Sequence, residues 1–181
     1  GKYVIGQRNG KVKEYNSYND QLIFEGKYLN GKRNGKGKEY NKYNKIIFEG
    51  EYKNGKRNGK GKEYKYGKLI FDGEYLQDLK NGNGKEYNNI GELLFEGNFI
   101  NGERNGKGKE YISGELVFEG EFLKGLRWVG KGKIIFKQEN NKLVFESEYL
   151  NGFQLNLNGK EYNNKGQLIF EGQYYEYKRN G

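Results

Sequence analysis

The chain has no cysteine, no histidine and no methionine, a single tryptophan, and only three serines, at Ser17, Ser113 and Ser147. Without cysteine neither disulfides nor thiolate metal sites can hold it together. Without histidine a structural zinc site is not expected, and with so few serines no nucleophile-and-base constellation can be assembled. Only 33% of the 181 residues are apolar, which argues against one compact interior. No apolar run approaches the roughly 18 residues of a membrane-spanning helix. The N-terminal residues lack the charged, apolar and small-residue segments of a secretory signal, so a soluble protein is expected. The text starts and stops inside a repeat, at Gly1 and Gly181, and reads as a segment of a longer chain.

What is present is order of a particular kind. Chains of low hydropathy and high net charge are often disordered, but disordered chains are poor in aromatics. This one carries 17 Tyr, 11 Phe and 30 Gly at a net charge of +9. The tripeptide Phe-(Glu/Asp)-Gly or a close variant recurs at Phe24, Phe48, Phe71, Phe95, Phe118, Phe145 and Phe170, spaced 24, 23, 24, 23, 27 and 25 residues apart. A period in that range marks a repeat array. One array is expected over residues 1–181: a partial repeat over 1–21, then units starting near 22, 46, 69, 93, 116, 143 and 168.

Each unit reads as a β-hairpin. In Leu22-Ile23-Phe24-Glu25-Gly26-Lys27-Tyr28-Leu29, the residues Leu22, Phe24, Gly26 and Tyr28 fall two apart, so a strand places them on one face and Glu25 and Lys27 on the other. Two Asn-Gly pairs flank Lys32-Arg33 in Asn30-Gly31-Lys32-Arg33-Asn34-Gly35. Asn-Gly supplies the positive φ angles of a tight reversal, and either pair could form it. Shorter turns, as at Tyr66-Gly67 and Ser113-Gly114, join one unit to the next. The predicted fold is all-β, an elongated single-layer antiparallel β-meander of about seven stacked hairpins. Stacking puts the repeated Phe residues in one ladder beside Tyr28, Tyr52, Tyr75, Phe99, Phe122, Tyr149 and Tyr174. The glycines at 26, 50, 73, 97 and 120 leave slots for a neighbouring ring.

The run Phe48-Glu49-Gly50-Glu51-Tyr52-Lys53-Asn54-Gly55-Lys56-Arg57-Asn58-Gly59-Lys60-Gly61 resembles the MORN repeat, with its aromatic-x-Gly-x-aromatic opening, basic loop and closing Gly-x-Gly. Asn34, Asn58 and Asn105 stand where that family usually has a loop histidine. The Lys-Glu-Tyr and Gly-x-Leu-Ile-Phe-Glu-Gly text is similar to the variant MORN repeats of antitoxin-like proteins. The resemblance implies a structural, scaffolding module, intracellular and cytoplasmic, in membrane-associated or cytoskeletal assemblies, with some members self-associating.

The residues themselves offer little catalytic chemistry. Carboxylate columns run through Glu25, Glu49, Asp72, Glu96, Glu119, Glu146 and Glu171, and through Glu39, Glu63, Glu86, Glu110 and Glu161. Recurrence in nearly every unit points to solvated cross-strand pairing with lysine rather than to an acid–base pair. The stretch from Gly55 to Gly61 lacks the Ser or Thr and the following helix of a phosphate loop. No enzyme activity, cofactor or metal is expected.

Two features break the repeat. Residues 1–66 hold 17 Lys/Arg against 7 Asp/Glu, whereas residues 67–181 hold 16 against 17. The basic excess gathers at the hairpin loops as Arg8, Lys32, Arg33, Lys36, Lys56, Arg57 and Lys60, a candidate anion-binding edge for lipid headgroups or an acidic protein segment. The alternative is a solvated row that keeps the sheet soluble and discourages edge pairing. In the second half the loops turn apolar, with Leu79, then Leu126, Trp128 and Val129, then Phe153, Leu155 and Leu157. These are candidate partner-binding residues, or else they fold back over their own sheet. The expected function is a non-catalytic scaffold mediating protein–protein interaction, with anionic phospholipid binding as the alternative. Nucleic acid ranks third because the Glu columns repel phosphates. Unpaired end strands allow self-association.

Overall fold

A computed structural model of the chain describes residues 2–4, 7–137, 141–175 and 178–179. Residues 1–103 form one compact unit and residues 104–181 a second. The first holds β1 (Lys2–Val4), β2 (Gln7–Tyr15), β3 (Leu22–Leu29), β4 (Lys32–Tyr40), β5 (Ile46–Lys53), β6 (Lys56–Lys65), β7 (Lys68–Leu76), β8 (Leu79–Tyr87) and β9 (Leu93–Ile100). The second holds β10 (Glu103–Ile112) from its second residue on, β11 (Glu115–Leu123), β12 (Leu126–Lys137), β13 (Asn141–Leu150), β14 (Phe153–Asn163), β15 (Leu168–Tyr175) and β16 (Lys178–Arg179). In each unit the strands are antiparallel and follow one another in chain order, and the described residues contain no helix. This is the β-meander that the repeat predicts.

The reversal uses the first Asn-Gly pair. Asn30 and Gly31 have φ of 49° and 74°, and Asn54 and Gly55 of 54° and 92°, the double positive φ of a two-residue hairpin turn. Each turn is also tied to the unit before it: the Gly31 N–H donates to the Arg8 carbonyl at 3.0 Å, and the Gly55 N–H to the Arg33 carbonyl at 2.9 Å. The second pair serves another purpose. Gly35, with φ of 87°, lies inside β4, where the register slips between the pairs Gly26–Gly37 and Tyr28–Arg33. That bulge resets which face the following residues occupy.

The core of each unit is one face of the sheet. Phe24, Phe48, Phe71 and Phe95 are fully buried, and Tyr28, Tyr52, Tyr75 and Phe99 nearly so. Phe24, Phe48 and Phe71 each meet two rings edge-on. Phe48 stands 5.6 Å from Tyr52 and 5.2 Å from Tyr75, and Phe71 stands 5.5 Å from Tyr75 and 5.2 Å from Phe99. In the second unit Phe118 meets Phe122 at 5.0 Å and Tyr149 at 5.2 Å, and Phe145 meets Tyr174 at 4.8 Å. This T-shaped contact sets positive ring edges against negative faces.

Glycines face one another beneath the rings, Gly26 with Gly37, Gly50 with Gly61, and Gly73 with Gly84. The slot is filled chiefly from within the repeat rather than by a neighbour. A Cβ on Gly50 would lie 2.7 Å from Cζ of Phe48, two residues back, and the next repeat reaches the slot only through Tyr75, beside Gly61. Gly61→Ala is therefore expected to destabilise by about 2 kcal/mol, because its methyl enters the space of Phe48, a ring fixed on both sides. Urea denaturation measures this. A variant as stable as the native chain would mean that the ring gives way freely.

Candidate functional site

A single-layer sheet cannot bury a ring on its exposed face unless something covers it, and here arginine or lysine does. Two residues past the turn the strand register sets a basic side chain opposite the Tyr in the pairs Tyr28–Arg33, Tyr52–Arg57 and Tyr75–Lys80, whereas Gln154 stands opposite Tyr149 in the second unit. This parity aims the basic side chain over the Phe. The Arg33 guanidinium carbon lies 4.0 Å from the Phe24 ring centre, that of Arg57 4.1 Å from Phe48, and the Lys80 ammonium 4.3 Å from Phe71. Arg127 takes the same place over Phe118 in the second unit, at 5.3 Å. A guanidinium stacks on an aromatic face well because it is planar and weakly hydrated.

The second carboxylate column anchors these cations. Glu39 accepts from Arg57 Nη2 at 2.7 Å and Nε at 3.3 Å, and from the Tyr52 hydroxyl at 2.7 Å. Arg57 Nη1 continues to Glu63 at 2.8 Å, and Arg33 pairs with Glu14 through two bonds of 3.1 Å. Lys80 pairs with Glu86 at 3.0 Å, and Arg127 with Glu110 at 2.8 Å. Burial would raise the Glu39 carboxyl, but the donors Arg57 and Tyr52 and the charges of Arg57 and Arg33 outweigh it and hold it below the usual range. Burial, followed by the hydrogen bond to Glu39, pushes the Tyr52 hydroxyl far up.

This revises the expectation of a fully solvated column paired with lysine: the Glu39 column lies half-buried on the aromatic face, with arginine at Glu39, Glu63 and Glu110 and lysine at Glu86. The first column does behave as expected. On the opposite face Lys38 pairs with Glu49 at 3.6 Å, Lys62 with Asp72 at 3.5 Å and Lys85 with Glu96 at 3.1 Å. Tyr40 and Tyr64 donate to Glu25 and Glu49 at 2.7 and 2.6 Å. Burial and these carboxylates push both tyrosines up to about 12.

The structure separates the basic loop residues into three groups. Arg33 and Arg57 turn inward as caps and do not stand on the edge. Arg8, Lys32 and Lys56 are exposed on the strands bordering the turns. Lys36 and Lys60, past the bulge, line a groove on the opposite face. The caps were missed because the whole Asn-Gly-Lys-Arg-Asn-Gly stretch was read as loop. The signal was strand parity, counted from the first turn.

The apolar residues lie on the turn edge. Leu126 and Phe153 are 67% and 73% exposed, each the first residue after its reversal, and Leu123 and Leu150 face them across the turns. Val129 and Leu155 are partly exposed. Trp128 is half-buried, its ring 3.4 Å from where a Cβ on Gly152 would stand. Its carbonyl accepts the Gly152 N–H at 3.0 Å, so Trp128 braces the next turn. The side chain of Leu157 lies outside the described residues. Leu79 belongs to the first unit, exposed opposite Leu76.

Among the described residues no group of three or more Asp, Glu, Cys or His is placed to hold a metal ion. The carboxylates of the two columns are engaged with cations or tyrosines in a repeating pattern, and nothing in that pattern singles out one unit as a reaction centre. No curated protein matches the chain. The family model of the MORN repeat matches residues 24–43, 48–67, 71–91 and 95–115, so each match opens on one of the buried Phe residues. With four successive matches spanning residues 24 to 115, and the same buried phenylalanine recurring at Phe118 and Phe145, the chain is a MORN-repeat protein.

Proposed function

We propose that this chain is a non-catalytic scaffolding module that holds a protein partner against the apolar turn edge of its second unit. The observation that carries the reading is the quartet Leu123, Leu126, Leu150 and Phe153 on two successive hairpins, all exposed. The first unit places Leu29 with Lys32, and Lys53 with Lys56, at the same pair of positions, and has an apolar pair, Leu76 with Leu79, on the hairpin that follows them. Two hairpins lie about 10 Å apart at ordinary strand spacing, so the four side chains make one apolar patch. A contiguous exposed apolar patch of this kind marks a site where a partner excludes water.

The second reading, binding to anionic phospholipid, rests on Arg8, Lys32 and Lys56 at the turns of the first unit. It is weaker because Arg33 and Arg57 are already committed to carboxylates. The test is affinity capture with the native chain, Leu126→Ser/Phe153→Ser and Lys32→Glu/Lys56→Glu, followed by reconstitution with the purified partner. The apolar changes are expected to weaken capture by at least about tenfold while leaving the melting temperature within a few degrees, since both side chains are exposed. The lysine changes are expected to leave capture intact. Partner binding that survives Leu126→Ser/Phe153→Ser would overturn the reading. Binding to phosphatidylserine vesicles that is lost with Lys32→Glu/Lys56→Glu would replace it with the lipid one.

A further inference from the structure

The face of the first unit opposite the caged rings carries a groove of about 1090 Å³, running across β2 to β7. Its floor includes the backbone of Gly26, Gly37, Gly50 and Gly61, and its walls carry seven lysines against four carboxylates. Three lysines are neutralised: Lys13 by Glu25 at 3.9 Å, Lys38 by Glu49 at 3.6 Å and Lys62 by Asp72 at 3.5 Å. The fourth carboxylate, Glu51, accepts the backbone N–H of Lys60 at 3.4 Å. Lys11, Lys27, Lys36 and Lys60 are left without an ion-pair partner among the described residues.

Lys27 is the departure from the repeat. At its position the next two units carry Glu51 and Glu74, which face Lys36 and Lys60 across the strands. Lys27 instead faces Lys11, a like-charged cross-strand pair, which is destabilising. Lys36 follows on the next strand, one residue past the bulge that opposes Lys27. Three cations on β2, β3 and β4 thus share one side of the groove within about 10 Å, at ordinary strand spacing. The sequence places this repulsion where one substitution, already present in neighbouring repeats, would remove it.

We infer that this groove binds an acidic, extended peptide segment whose carboxylates sit on Lys11, Lys27 and Lys36. Charge complementarity selects the class. A continuous phosphodiester strand would also run against the row Glu25, Glu49 and Asp72, whereas a peptide can set its acidic residues over the lysine side and neutral ones over that row. A flat bilayer cannot follow a concave surface to a floor made of glycine backbone. Interleaved charge of this kind confers selectivity more than raw affinity.

The experiment is fluorescence anisotropy of the whole chain with a short labelled peptide alternating glutamate and glycine, at low ionic strength. Lys27→Glu is the informative variant, because it installs the residue of the neighbouring repeats and gives Lys11 a partner. It is expected to weaken the peptide by about tenfold while keeping or raising the melting temperature. Lys36→Glu is expected to weaken it similarly. Lys56→Glu, the same charge change on the turn edge outside the groove, is expected to leave it unchanged. Equal weakening by Lys56→Glu, or no weakening by Lys27→Glu, would overturn the inference. So would tighter binding of oligothymidylate or of phosphatidylserine vesicles that is lost with the same two groove variants.

Discussion

Phe71→Ala is expected to cost the first unit about 3–5 kcal/mol, the usual penalty for truncating a fully buried aromatic. Phe71 has no exposed surface, meets Tyr75 and Phe99 edge-on, and is capped by Lys80 at 4.3 Å. Its removal therefore does more than open a void. Tyr75 and Phe99 each lose a ring partner, and Lys80, still held by Glu86, is left above empty space. Stability in a repeat array is close to a sum of nearest-neighbour terms, so damage to one ring weakens the interfaces on both sides of it. Urea denaturation gives the magnitude, and amide exchange is expected to lose protection first in β6 to β9, the strands that pair with Phe71 or carry its ring partners. A cost below about 1 kcal/mol, or protection lost evenly along the unit, would mean that the ladder is not what holds these hairpins together.

How far the sequence discloses this architecture depends on the kind of signal involved. The hairpin and its buried face were legible because strand periodicity is strict: residues two apart share a face, and Phe24 and Tyr28 are indeed buried together. The turn was legible in type but not in place, because two Asn-Gly pairs compete and both glycines take positive φ. That ambiguity hid the caps. If the first pair turns, Lys32-Arg33 already belongs to β4 and Arg33 faces the ring. If the second pair turns, both side chains lie in a loop. The bulge at Gly35 adds a second concealed step, since the extra residues put Lys36 and Lys38 on the face of Glu25. Composition gave the surplus of positive charge, yet it could not distribute it. Of the cations assigned to a single edge, two stabilise the core and two line a groove behind it. The apolar turns were the easier case, because a residue beside a two-residue reversal has few neighbours to cover it, whichever pair turns.

Glu39→Gln is expected to cost about 2–3 kcal/mol at neutral pH, and its dependence on pH separates an electrostatic role from a steric one. The carboxylate accepts three hydrogen bonds from Arg57 and Tyr52 and lies 3.5 Å from Arg33. Glutamine keeps the shape but sets an amide against a guanidinium and removes the charge between two half-buried arginines. Because the folded-state pKa of Glu39 is depressed, its contribution is complete above the unfolded carboxyl value of about 4.3 and is lost as pH falls through the lower folded value. The native chain and the variant are therefore expected to differ most near neutrality and to converge in acid. Stability curves that stay parallel through the acid limb would show that packing, and not charge, accounts for the loss. The same variant weighs the two roles open to the arginines. If Arg33 and Arg57 were there to grip an anionic surface, releasing them from Glu39 would strengthen binding to phosphatidylserine vesicles. As caps over Phe24 and Phe48, they are expected to give a weaker fold and no gain in vesicle binding.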